Sequence, residues 1–195
     1  MSQFEVIRDI GESLKELLKD SFKANGFTTV SVGSERPKKD NIKNLPTVNL
    51  FLYHVGFAQN YRERTDALVS THTKQGNIVE FFRDGPVYLN CYFAVSVWGN
   101  SPSEENLLLG LVVKSFLENT IVEGQALKGD SWYPDDKINV HPNLQADQND
   151  LMSFWRSMNE EVRPTLFYFV RFRVESDRRT SPVRRVVAKE IALNR

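Results

Sequence analysis

One cysteine, Cys91, is all that the 195-residue chain carries, so no intramolecular disulfide can form. It sits inside the apolar run Val87–Trp98, where a free cysteine behaves as a small buried hydrophobe, and it fits folding in a reducing compartment. Charge of one sign is also missing. The 25 basic and 25 acidic residues cancel, whereas a domain that neutralises many phosphates carries a basic excess, so nucleic acid is not an expected partner. No segment approaches the ~20 consecutive apolar residues of a membrane-spanning helix. The start, Met1–Asp9, is acidic and lacks a signal peptide's apolar run. The sequence therefore predicts no direct membrane insertion and a cytoplasmic site of assembly.

Catalytic signatures are scarce too. There is no glycine-rich phosphate loop, nucleophile elbow or metalloprotease helix motif, and Gly99 and Gly110 are isolated. The three histidines, His54, His72 and His141, are far apart and never spaced i, i+4, so a metal site would require the fold to bring them to carboxylates or Cys91. They read instead as isolated histidines with local hydrogen bonds. Of the carboxylate pairs, Glu104-Glu105 suits a helix start, and Asp135-Asp136 in a loop points into water more readily than it forms an acid/base pair. The expectation is a protein that is not an enzyme, with no cofactor, no metal and no small-molecule substrate.

What is present is an ordinary globular composition, 41% hydrophobic and 26% charged, on a length that buries a core without staples. Phe4, Ile7, Ile10, Leu14, Leu17, Leu18 and Phe22 recur at three and four, the stripe of an amphipathic helix. Asn25-Gly26 ends it. Phe27–Gly33 reads as a strand. Pro46–Phe57 is a core strand, with Val48, Leu50, Leu52 and His54 on one face. Ala58–Gly85 is a polar loop or hairpin that contains Arg62 and Arg64. Pro86–Trp98 is a second core strand. Ser101 and the acidic residues after it cap a helix that runs to about Asn119.

Gly124–His141 reads as irregular, around Trp132-Tyr133, with a short strand at Lys137–Val140. Asp147–Met158 reads as a helix and Pro164–Val174 as a third core strand, with Val183–Leu193 as a final one. The fold class is α/β (α+β): a central mixed or mostly antiparallel sheet flanked by helices. Residues 1–195 form one domain, in which 176–195 is a C-terminal extension or exchanged strand.

Candidate partner-binding residues follow from residue type. Arg178, Arg179, Arg184 and Arg185 make the C-terminal part the one lopsided region in charge. It reads either as a solvated sheet edge or as a docking surface for an acidic partner or another chain's strand. Trp132 and Tyr133 are of the types enriched at interface centres, and Arg62 and Arg64 lie in the long polar stretch.

The segment Leu45-Pro46-Thr47-Val48-Asn49-Leu50-Phe51-Leu52-Tyr53 resembles the core motif of the Pvc16 N-terminal-domain type of protein from contractile injection systems. Tyr61-Arg62-Glu63-Arg64, Val95-Ser96-Val97-Trp98-Gly99, Glu104-Glu105 with Leu107-Leu108-Leu109-Gly110, Asp150-Leu151 with Phe154-Trp155, and Arg163-Pro164-Thr165-Leu166 follow in the same order, to about Val174. The resemblance implies a tail-terminator-like fold. It also implies a ring of copies, hexameric in the family, that closes the inner tube and engages the last sheath layer of a phage-tail-like particle that can be released from the cell. Its alternative is a cap adaptor that links the particle to another protein or a membrane anchor. It implies self, tube and sheath as partners, and no catalytic residue.

Overall fold

In the computed structural model the described residues are 3–58, 67–72, 78–83 and 86–175, with backbone alone at 67–72 and 78–83. After a 3-10 turn at Gln3–Glu5, α1 spans Val6–Ala24. Its buried side is Val6, Ile10, Leu14, Leu18 and Phe22, a row spaced by four that keeps side chains one above the other on a helix face. Phe4, read as part of that stripe, precedes the helix and is 80% exposed. The C-terminus closes as a Schellman motif: Gly26 at φ +86 donates its N–H to Lys23 O, and Phe27 donates to Phe22 O. Because Phe27 is spent on that closure, the strand expected over Phe27–Gly33 shrinks to β1, Ser31–Gly33.

Strand β2 is Thr47–Phe57. β3 (Ala67–His72) and β4 (Ile78–Arg83) pair as an antiparallel hairpin, which is the hairpin alternative read for the long polar stretch. β5 spans Val87–Trp98, and α2 spans Pro102–Glu118 behind a Ser101 cap whose Oγ accepts from Glu104 N. β6 (Ile121–Glu123) precedes the region read as irregular, which holds a 3-10 turn at Gly124–Ala126 and β7 (Lys137–Pro142), the strand expected at Lys137–Val140. α3 is Gln148–Met158 and β8 is Thr165–Val174. The proposed strand Val183–Leu193 lies outside the described residues.

Contacts gather the chain into a larger unit, residues 1–58 with 88–173, and a second unit that includes the β3–β4 hairpin. The larger unit is built on a six-stranded sheet ordered β1-β2-β5-β8-β7-β6. β1 runs parallel to β2; β2/β5, β6/β7 and β7/β8 are antiparallel. One face is the main core: Val48, Leu50, Cys91, Phe93, Val95, Val97, Ile138, Val140, Val170 and Phe172 are all at most 3% exposed. That face packs beneath α1 and α2. Ser21 and Ser115 join the two helices through a hydroxyl pair at 2.6 Å, and Phe116 stands edge-on to Tyr168 at 4.7 Å. The other face takes α3, through a cluster of Ala94, Trp98, Phe154, Trp155 and Met158.

A bulge in β2 changes one reading. Pairing with β5 slips between Leu52 and His54, and a bulge inserts one unpaired residue. His54, expected beside Val48, Leu50 and Leu52, is thereby turned to the α3 face, opposite Tyr92. Among the described residues, no helix is long and apolar enough to cross a membrane.

Candidate interaction surface

The α3 face is built from strand alternation. Period-2 geometry sends every second residue to one side, so Phe51, Tyr92, Ala94, Ser96, Trp98, Phe167 and Phe169 collect there. α3 is only eleven residues long and covers the upper part of them. Asp147 starts it with a capping box: its carboxylate accepts from Asn149 N and Asp150 N at 2.7 and 3.0 Å, and Asp150 Oδ2 accepts from Asp147 N at 3.0 Å. Those N–H groups favour the charged form and hold the Asp147 carboxyl below its ordinary range. Asn159, left-handed at φ 56, ends the helix. Trp155 is fully buried and its indole donates to Thr165 Oγ1 at 2.8 Å. Arg163 lies over the Trp98 ring at 4.1 Å and reaches Glu105 at 3.0 Å.

Below α3 the sheet carries a row of four side-chain rings across four strands. His141 of β7 stacks on Phe169 of β8 at 5.1 Å, Phe169 meets Tyr92 of β5 at 5.7 Å, and Tyr92 meets His54 of β2 at 5.3 Å. Tyr92, Phe169 and His141 are half-buried, and His54 at the end of the row is exposed. In the next row Arg171 donates from Nε to Asn90 Oδ1 at 3.0 Å and stands 5.5 Å from the Phe169 ring. On β5 the partner numbers fall as those on β8 rise, the order of an antiparallel pair. Partial burial, with the Arg171 charge second, lowers the His141 pKa below its usual value, because both disfavour the protonated imidazole.

Between that row and α3 lies a groove of about 570 Å³ whose lining includes Phe51, Tyr53, Tyr92, Phe154, Phe167, Asp150 and Arg36. Tyr53 is its central ring, 5.7–6.2 Å from Phe167, Phe154 and Tyr92. Partial burial raises the Tyr53 pKa against a weaker opposing hydrogen bond to Asn143, so its hydroxyl stays protonated. The size and aromatic walls suit a binding groove.

The residues singled out from sequence fall elsewhere. Trp132 and Tyr133 are half-buried on the loop between β6 and β7. The Trp132 indole donates to Lys128 O at 2.7 Å, and Asp136 accepts from Tyr133 N at 2.8 Å while donating its own N–H to Tyr133 O. Asp136 thus closes a turn. The loop is fastened to α1, since Lys128 N donates to Ser13 Oγ at 2.8 Å. Arg62, Arg64, Arg178, Arg179, Arg184 and Arg185 lie outside the described residues. His54 and His141 share the ring row but not a ligand set: among the described residues no three His, Cys, Asp or Glu side chains gather as a metal site. Cys91 is fully buried and its thiol pKa is pushed up to about 12 by desolvation.

The aromatic groove was not legible in the sequence, because it depends on which strands are neighbours and on the bulge. Its one visible signal was the pattern of Tyr and Phe at alternate positions of β5 and β8. The Leu45–Tyr53 motif explains itself structurally. Leu45-Pro46 is a cis peptide, Pro46 O accepts from Ser31 N to seat β1, and buried Asn49 donates from Nδ2 to Glu35 O at 2.8 Å.

Comparison with known proteins places this architecture. The structure is similar to the PVC sheath/tube terminator of an extracellular contractile injection system in its extended state, at TM-score 0.68 and 17% identity over 96% of this chain. It is also similar to the anti-feeding prophage tube-terminating cap, at TM-score 0.70 and 15% identity over 98% of the chain. The chain spans 62% and 63% of the length of those two proteins. No curated protein matches the sequence. The family model for the Pvc16 N-terminal domain matches residues 9–189. The chain therefore belongs to the Pvc16 N-terminal domain family.

Proposed function

We propose that this chain is the structural subunit of a homo-oligomeric ring that closes the inner tube and engages the last sheath layer of a contractile injection system. The observation that carries the reading is the extent of the fold match: nearly the whole chain follows two proteins described as a sheath/tube terminator and a tube-terminating cap. The residues fit a role in assembly better than one in catalysis. Ionisable groups within the core face are few, the adjacent carboxylates serve turns and caps, and the open surface is aromatic. A closed ring needs two different patches on each subunit. The aromatic sheet face supplies one, and the loop that carries Trp132 and Tyr133 or residues 176–195, an extension or exchanged strand, supplies the other.

The test is reconstitution. Cognate tube and sheath proteins polymerised with the purified chain should give particles of narrow length distribution, with extra density at one end in negative-stain images. Lengths as broad with the chain as without it, and bare ends, would refute a terminating role.

A further inference from the structure

We infer that the aromatic groove beneath α3 receives the basic C-terminal segment of a second copy of this chain, so that self-assembly runs head to tail. The inference rests on the ring reading above and names the two patches that meet.

Three observations select the occupant. The first is the groove's walls. Tyr53, Phe154 and Phe167 stand edge-on to one another at 5.7–5.9 Å, and such rings present negative faces that attract guanidinium and ammonium groups. The second is charge. Residues 147–161, α3 with its flanks, hold four acidic side chains against one basic, while 176–195 holds six basic against two acidic. Asp147 and Asp150 are exposed at the α3 N-terminus. Asp147 stays ionised because backbone N–H groups stabilise its charge. Asp150 and Arg36 both line the groove, and Asp147 adds a second carboxylate at the start of α3. The third is the segment's own pattern. Val183-Arg184-Arg185-Val186-Val187-Ala188-Lys189 interleaves apolar side chains for an aromatic floor with cations for an acidic rim. The net-neutral chain thus divides into an acidic receptor and a basic ligand. Complementary patches of this kind steer and orient association. A receptor and ligand at different places on one chain make a heterologous contact, the kind that closes rings.

The test uses the full chain in two arms. In the first, R184E/R185E and D150R are made separately, with circular dichroism confirming that each folds. Each alone should self-associate about tenfold more weakly than wild type by sedimentation velocity. An equimolar mixture should recover, because each reversed patch then meets its reversed partner and the unaltered patches meet one another. In the second arm, a benzophenone photo-crosslinker replaces Val186 and isotopically heavy and light copies are mixed. Heavy-to-light crosslinks to peptides of α3 or β2 support the inference, and this arm decides if D150R fails to fold. Unchanged association of both variants, no recovery on mixing, or crosslinks only within one copy would overturn it. If wild type stays a single copy even beside tube and sheath proteins, the terminator reading falls as well. If wild type assembles while both arms fail, only this inference falls.

Discussion

Replacing Gly129 with alanine should cost this protein more than the same change at the other glycines among the described residues, and the structure gives the reason. Gly129 holds φ +94, and a Cβ there would lie 2.2 Å from both Cγ and Oδ2 of Asp9. Asp9 is 1% exposed. Its Oδ1 is held by the Arg8 guanidinium at 3.0 Å, and Ser13 on the same helix turn binds both Asp9 O and Lys128 N, so the carboxylate has little room to retreat. A left-handed backbone at a residue with a Cβ costs roughly 1–2 kcal/mol, and overpacking a closed site adds about 1–3 kcal/mol. Gly129→Ala should therefore lose about 3 kcal/mol. At about 2–4 °C per kcal/mol for a chain of this size, the melting temperature should fall by roughly 6–12 °C.

Gly124 is the internal control: its φ is +59 and a Cβ there meets nothing within 4 Å. Gly124→Ala should carry the backbone cost alone, about 1 kcal/mol. Urea unfolding of both variants, followed by tryptophan fluorescence, makes the comparison. A double change, Asp9→Ala with Gly129→Ala, should cost less than the sum of the two because the methyl then occupies vacated space. If Gly129→Ala loses no more than Gly124→Ala, the close approach of the loop to α1 is refuted.

Three other outcomes are expected. His141 has a folded pKa below its usual 6.5, so the unfolded state binds the proton more readily. Its contribution is complete above pH 6.5 and is lost as pH falls from there through the folded value; His141→Gln should flatten that limb of a stability-versus-pH curve from urea titrations. The Cys91 thiol, fully buried and pushed up to about 12, should react with a disulfide reagent only as fast as the protein opens, because the thiolate is the nucleophile; a burst of labelling in native buffer contradicts this. Gly110, exposed on α2 with open space around it, should gain about 0.5–1 kcal/mol on change to alanine, seen as a small rise in melting temperature.

Legibility in the sequence followed the range of the forces involved. The three α-helices declared themselves because their signals are local: an apolar row spaced by four in α1, Ser101 and the acidic residues after it in α2, and an apolar side of Leu151, Phe154, Trp155 and Met158 in α3. Core strands β2, β5 and β8 were equally plain from largely apolar runs. Short edge elements were not. β1 shrank because Phe27 is committed to closing α1, and β6 is three residues at the edge of the sheet, paired with β7.

Sequence alone thus determined the fold class, the sheet's main strands, a buried cysteine and the family motif from Leu45 to Tyr53, since each depends on neighbours a few residues away. The tertiary structure alone decided the candidate interaction surface. A bulge after Leu52 turns His54 around, strand order sets Tyr92 beside Phe169, and the shortness of α3 leaves their row half-covered. Those contacts join residues from about 40 to 80 positions apart, and no periodicity along a chain records which distant strands will become neighbours.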